Sequence, residues 1–461
     1  MQSHGEQGSH TGLGCELPAK TCLRRSGSGS SRPVRPVCVK DAAWILVLLL
    51  MVGMRVGAAP AEAADWNQFR GPSGDGHASA RLPLQWSETE NVVWKVPVAG
   101  KAWSSPVIAE GVVWMTNATS DGTRLSLVAL AAESGELLHD LTLFEIAEPA
   151  FCHDFNSYAS PTPVLADGKL WAHFGSAGTA CVETATGNVL WTRQDLPCDH
   201  HRGAGSSPIL VDGLLVLTFD GFDRQYVAAV DAATGATVWQ TDRDIDYGTD
   251  DGDMKKAYST PTAFEHRGRK QLVSPSAVAT IAYDPATGDE LWRVVHGGFN
   301  AACRPLYADG LVVICIQRGD GLLAVRPEGT GDLTATQVAW RSGKSAPTRP
   351  SQSVVGEQLY MVSDTGIFSC LDLATGTPRW TERRSGRYSA SLVEGNGQLY
   401  AVDEDGGCVV FAANPERFEL LGENQLADGC MASPAAFEND LIIRTKTHCY
   451  RIGSGPAPTA Q

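Results

Sequence analysis

Side chains able to do chemistry gather in a few short stretches of this 461-residue chain. They are Cys152-His-Asp-Phe-Asn-Ser-Tyr158, Cys198-Asp-His-His-Arg202, Lys255-Lys-Ala-Tyr258, Asn300-Ala-Ala-Cys-Arg304, Arg349, Arg387-Tyr388 and Cys430-Met431. By type alone, Cys152, Cys198, His153, His200 and His201 could ligate zinc. Their spacing matches no zinc motif, and solvated loop histidines are the plainer reading. Asp242, Asp244 and Asp246 alternate as calcium ligands do. However, Tyr247 stands where an EF-hand needs Gly, and Asp253 replaces the closing Glu. The trio is therefore a candidate for a looser Ca²⁺ site, set against a solvated acidic loop with Lys255 and Lys256 as counter-charges. The chain contains no Cys-x-x-Cys and no Cys-x-x-Cys-His. It also lacks a nucleophile elbow and a Gly-rich phosphate loop.

The elements that must hold these stretches are repeats. Asp231-Ala-Ala-Thr-Gly-Ala-Thr-Val-Trp239 is restated at Glu183–Trp191, Asp284–Trp292 and Asp372–Trp380. Each copy reads as a strand end, a tight turn and a new strand ending in Trp. Most units open with a Ser-Pro or Thr-Pro strand start, and several carry an acidic-Gly hairpin turn, as at Glu110-Gly111, Asp167-Gly168, Asp212-Gly213 and Asp309-Gly310. Each unit is thus one four-stranded antiparallel sheet, A to D, that cannot bury both faces alone. Units of this size arranged round an axis make a β-propeller. Trp94, Trp191, Trp239, Trp292, Trp340 and Trp380 recur once per unit and are expected to pack between blades rather than touch ligand. The last unit, from Ser433, has only three strands. The strand Asn91–Val98, with Trp94, is a spare D strand. Pairing the two closes an all-β ring of eight blades; seven is the alternative, because the seventh unit is the most degenerate.

The domain reading is a leader over 1–64, an irregular surface arm over 65–90, a propeller over 91–453 and a disordered tail over 454–461. In the leader, Ala42–Met54 is an apolar run flanked by Lys40 and Arg55, with Ala61-Glu-Ala63 beyond it as a cleavage site. The run is shorter than the about 20 residues a bilayer span needs, which fits a secretory signal; an uncleaved signal-anchor, with membrane association, is the alternative. The start at Met1 gives an overlong charged region, so the true start lies open. The net charge of −15 supplies no basic excess for nucleic acid. Of 12 cysteines, Cys15, Cys22 and Cys38 fall in the leader, leaving an odd number beyond it.

The Ala-Thr-Gly-x-x-x-Trp joints and Ser-Pro starts resemble the pyrroloquinoline quinone (PQQ)-like propeller repeat of quinoprotein alcohol dehydrogenases and BamB-type assembly lipoproteins. The opening Trp66-Asn-Gln-Phe-Arg-Gly-Pro-Ser-Gly-Asp-Gly76 resembles the start of exported PQQ-like repeat proteins. The resemblance covers about 66–452. It implies the fold, and export to the periplasm, envelope or medium. For the quinoprotein enzymes it also implies a vicinal Cys-Cys disulfide, a calcium and an Asp base. This chain has no Cys-Cys dipeptide.

In a propeller, the D-to-A crossings ring one mouth of the axial channel. The candidate ligand or partner surface is therefore His153, Asp154, Asn156, Tyr158, His200, His201, Arg202, Lys255, Tyr258, Arg304, Arg349 and Arg387. Cys152 and Cys198, at comparable positions in adjacent crossings, favour a disulfide between two loops, against free thiols or a metal pair. The expected role is a non-catalytic platform for a protein partner or small ligand in the cell envelope, with no cofactor. The alternatives are an oxidoreductase using PQQ and Ca²⁺, or another cofactor, and a secreted hydrolase or sugar-binding propeller.

Overall fold

The computed structural model describes residues 65–317, 321–343 and 345–453. The leader, its apolar run and the tail lie outside the described residues. Eight antiparallel sheets follow one another: blades 1 (107–145), 2 (164–193), 3 (209–242), 4 (262–295), 5 (306–342), 6 (353–383), 7 (393–425) and 8 (435–452). Blade 8 takes its outer strand, Val92–Pro97, from the start of the propeller; it pairs with His448–Ile452 in the register Trp94↔Arg451. The closure expected from the orphan Trp94 strand is thus present, and the degenerate seventh unit is a full blade.

Local chemistry explains the blade. Six A/B turns have both central residues at positive φ, as in Asp212 (49°) and Gly213 (80°), the conformation a two-residue primed hairpin requires. The C/D joint is held by its own carboxylate: Asp231 Oδ1 accepts from the N–H groups of Ala233 (3.1 Å) and Thr234 (2.8 Å). In the D strands a one-residue register shift precedes the Trp, as between Val189 and Trp191. This bulge re-aims the indole. It then donates across the junction to the next blade's joint: Trp94 to Ala132 O (2.8 Å), Trp191 to Ala232 O (3.0 Å), Trp239 to Pro285 O (3.0 Å), Trp340 to Leu373 O (2.9 Å) and Trp380 to Asn414 O (2.8 Å). Trp292 differs. It is fully buried and donates to Gln271 within its own blade (2.6 Å).

Four of these indoles, Trp94, Trp191, Trp239 and Trp340, lie on the joint glycine of the next blade. A Cβ on Gly288 (φ +76°) would sit 2.5 Å from the Trp239 ring. Gly288→Ala is therefore expected to lose at least about 1–2 kcal/mol, from backbone strain and lost junction packing together. Chemical unfolding would read this, and an unchanged midpoint would argue against the docking role of the ring.

At the axis the blades are laced by hydroxyls at the A-strand starts. Ser105 N–H donates to Thr162 Oγ1 (3.0 Å), Thr162 to Ser207 (2.9 Å), Ser207 to Thr260 (2.9 Å), Ser351 to Ser391 (3.0 Å), Ser391 to Ser433 (2.9 Å) and Ser433 back to Ser105 (3.0 Å). Arg304 N–H continues the circuit to Ser351 (2.9 Å). The ring breaks only between Thr260 and Arg304, because Arg304 carries no hydroxyl.

The arm is not the surface appendage expected from its turn-rich composition. It crosses the channel. Trp66 O accepts from Ile108 of blade 1 and Asn67 O from Leu165 of blade 2 (both 2.8 Å). Arg70 Nη2 donates to Gln352 O of blade 6 (2.6 Å), and His77–Ala78 adds a short parallel strand to blade 7. Trp66 and Arg70 are buried. A polar segment can lie here because the inner edges of the A strands offer unpaired backbone groups that it satisfies.

Candidate functional site

Two connected cavities occupy the crossing-loop end of the axis. The inner one, about 170 Å³, is lined by the hydroxyls of Ser105, Thr162, Ser207, Thr260, Ser391 and Ser433, with Phe69 of the arm among them. The outer one, about 400 Å³, is lined by His153, Asn156, Arg202, Asn300, Gln317 and Thr348. Phe155, Asn156, Tyr258 and Arg349 line both. The Arg349 guanidinium stacks 4.6 Å above the Phe155 ring. Phe155 precedes blade 2 and Arg349 precedes blade 6, which are opposite in a ring of eight, so this pair spans the axis between the two cavities.

The charges here neutralise one another. Arg349 pairs with Asp364 (2.9 Å) and Glu404 (3.2 Å), and Arg202 with Asp253 (3.3 Å). Asp253 is also bound by the buried Lys256. Burial pulls that ammonium below its usual range while Asp253 opposes the shift. Among the buried polar atoms here, Tyr258 Oη, Asn300 Oδ1 and Arg202 Nε make no hydrogen bond. Exposed aromatic surface adjoins them, with Phe155 42% exposed and Trp103 bonded to its carbonyl (3.0 Å).

Of the expected mouth residues, His153, Asn156, Arg202, Tyr258 and Arg349 line the cavities. Asp154 is exposed nearby, its carbonyl accepting from Lys101 (2.7 Å). The others are turned elsewhere. Tyr158 packs against Gly122 at the side of blade 1. His200 faces inward, with Nε2 accepting from Ser176 N–H (3.1 Å), and burial lowers its pKa to about 4. His201 joins an outer aromatic cluster with Phe151 (5.8 Å) and Phe222 (5.2 Å). Lys255 lies over Tyr247, and Arg387 is an exposed partner of Glu404.

Arg304 is buried below the mouth and holds the arm, donating to Phe69 O (2.6 Å) and Gln68 Oε1 (3.3 Å). Burial, then the neighbouring Arg70, lowers its pKa to about 9. Arg304→Ala removes these charged hydrogen bonds. It is expected to raise amide exchange across residues 68–71 by at least about tenfold, and unchanged exchange there would show that the arm is held by other contacts.

Two expectations are corrected. Cys152 and Cys198 form no disulfide; all nine described cysteines are free. The Cys152 thiol faces Arg202 O (3.6 Å), whereas that of Cys198 faces His200 Nδ1 (3.8 Å) and Arg224 O of blade 3 (3.9 Å). Similar loop positions thus send the two thiols to different neighbours. Likewise Asp242, Asp244 and Asp246 do not converge, since no three potential ligands gather as a metal site among the described residues. Between the first two, Arg243 is drawn inward to Asp220, leaving both flanking residues exposed. Composition could not reveal Phe69, Trp103 or Gln317, which lie outside the crossing-loop stretches, nor that Phe155 and Arg349 meet across the axis.

Fold and axis together define an eight-bladed propeller of the PQQ-like type. The chain belongs to the family described as outer membrane protein assembly factor BamB, whose profile matches residues 84–202, 223–334 and 330–417. It is 23% identical over 373 residues to the outer membrane protein assembly factor BamB of Shewanella oneidensis, covering 72% of this chain and 86% of that one. Among solved structures it is similar to BamB from Moraxella catarrhalis (TM-score 0.56, 11% identity, 78% of this chain and 99% of that one). It is similar also to the quinohemoprotein alcohol dehydrogenase from Comamonas testosteroni (TM-score 0.61, 12% identity, 88% and 82%). At such identities these two likenesses speak for the fold alone.

Proposed function

We propose that this protein is an exported, non-catalytic platform of the cell envelope that holds a protein partner at the crossing-loop mouth. The observation that carries this reading is the state of the mouth. Its charges are paired with one another, while aromatic faces and neutral hydrogen-bonding groups remain open. Such a surface suits a protein contact, in which aromatic and Arg anchors dominate. The relatives named as outer membrane assembly factors support the same role and an envelope location, and the apolar run with its small-residue flank supports export.

The quinoprotein alternative turns on the cavity lining. A calcium-assisted quinone needs a carboxylate for the cation and another as base. Among the described residues no carboxylate lines the outer cavity, and Asp253, Asp364 and Glu404 are committed to cations. The residues present do not fit that group. A photo-crosslinking residue placed at Phe155 is expected to capture one envelope protein, and the same residue at Val295, exposed on the rim, is not. Equal capture at both positions, or stoichiometric PQQ binding with dye-linked alcohol oxidation, would overturn the reading.

A further inference from the structure

A cavity of about 640 Å³ lies away from the mouth, among the A/B and C/D turns at the junction of blades 1 and 2. Its origin is a departure from the repeat. At the next junction, two indoles of blade 2, Trp171 (2.8 Å) and Trp191 (3.0 Å), both donate to Ala232 O. In blade 1 the inner indole, Trp114, is kept, but His139 replaces the outer one. Its imidazole stacks on Trp114, centroids 5.6 Å apart and planes 15° apart. The Thr184 carbonyl stands at the position of Ala232, yet no indole reaches it. Thr184, Trp114 and His139 all line the space left over.

The rest of the lining has a definite character. Asp65, Glu110 and Asp167 contribute three carboxylates, against one cation, Lys169. All three are exposed. Leu138, 42% exposed, and Leu165 give an apolar wall. Asn67 Oδ1, a buried atom with no partner, belongs to the same lining. Next to Leu138 in the chain, Leu137 is 56% exposed, and Glu136 is exposed as well.

We infer that this groove docks an arginine-bearing, extended segment of a partner protein. A guanidinium is planar and can lie along the half-buried His139 ring, which the buried Trp114 backs from inside. It carries several N–H groups for the Thr184 carbonyl and Asn67 Oδ1, and its charge meets the acidic rim. An aliphatic neighbour in the segment covers Leu137 and Leu138. The inference rests on the platform reading and adds to it a second contact, on a face distinct from the mouth.

The test uses the full chain and a fluorescent peptide of alternating valine and arginine, with a valine–glutamate peptide of the same length as control. The arginine peptide is expected to bind, more weakly as salt rises, and the glutamate peptide is not. His139→Trp, which restores the residue that six other blades carry, is expected to weaken binding about tenfold while thermal stability holds or rises. Glu110→Asn with Asp167→Asn, both at exposed turn positions, is expected to weaken it about fivefold. Equal binding of both peptides, or undiminished binding by His139→Trp, would overturn the inference. So would a homodimer that His139→Trp dissociates, since it would assign the groove to a second copy. Absence of peptide binding with capture at Phe155 intact would remove the groove and leave the platform reading standing.

Discussion

Asp220→Ala is expected to destabilise the propeller by about 3–5 kcal/mol, the range for leaving a buried charge without its partner. Asp220 and Arg243 are both buried, at 0% and 1% side-chain exposure. Arg243 Nε and Nη2 meet the two carboxylate oxygens at 2.7 and 2.5 Å. Its other donors reach Ser274 O (3.0 Å) and Ser274 Oγ (2.9 Å), and Ser276 Oγ donates to Asp220 (3.0 Å). The network ties the end of blade 3 to blade 4. Removing the carboxylate leaves a guanidinium that cannot reach water without parting the blades. By contrast, Asp220→Leu combined with Arg243→Met removes both charges and should cost much less. Denaturant unfolding of the single and double variants measures the difference. A double variant as unstable as Asp220→Ala would mean that the pair is worth keeping for its own attraction.

The second large effect is a loss of stability in mild acid. His173, His200 and His296 are held neutral, with pKa values lowered mainly by burial to about 3, about 4 and about 4. His173 Nδ1 meets Thr179 Oγ1 (2.9 Å), and His296 Nε2 meets Thr280 Oγ1 (3.0 Å). The folded values lie below the unfolded value of about 6.5, so between the two the unfolded chain binds more protons. Stability from these groups is therefore complete above about pH 6.5 and falls as pH drops toward 4. His296 contributes on the order of 3 kcal/mol over that window and His173 somewhat more; His200, partly open to solvent, contributes less. His77 runs the other way. Glu394, 2.6 Å away, raises its pKa against the effect of burial, so its contribution is present in acid and lost as pH rises. Unfolding midpoints at about pH 7 and about pH 4.5 should differ clearly, and His296→Gln should flatten the slope. A midpoint independent of pH across that window would contradict the neutral burial of these rings.

The sequence by itself determined the blades, and read their number as eight with seven as the alternative. Those features rest on partners close in the chain: a hairpin turn with its two strands, an Asp with its own turn amides, a Trp at fixed distance from its Gly. Even the orphan strand around Trp94 was legible, because it carries the D-strand pattern without the rest of a blade. The site was legible only as a zone. His200, His201 and Arg202 are consecutive, yet they enter the core, an outer aromatic cluster and the mouth respectively. Which way each points depends on Ser176, Phe222 and Asp253, set by packing between blades. The arm was misplaced for the same reason: its polar turns looked like surface until blade edges supplied its hydrogen bonds. Tertiary structure alone decided that Arg304 holds this arm, that the two loop thiols face apart, and that one His in place of one Trp opens a groove. Each of these depends on groups far apart in sequence meeting across a junction, where no local pattern records the outcome.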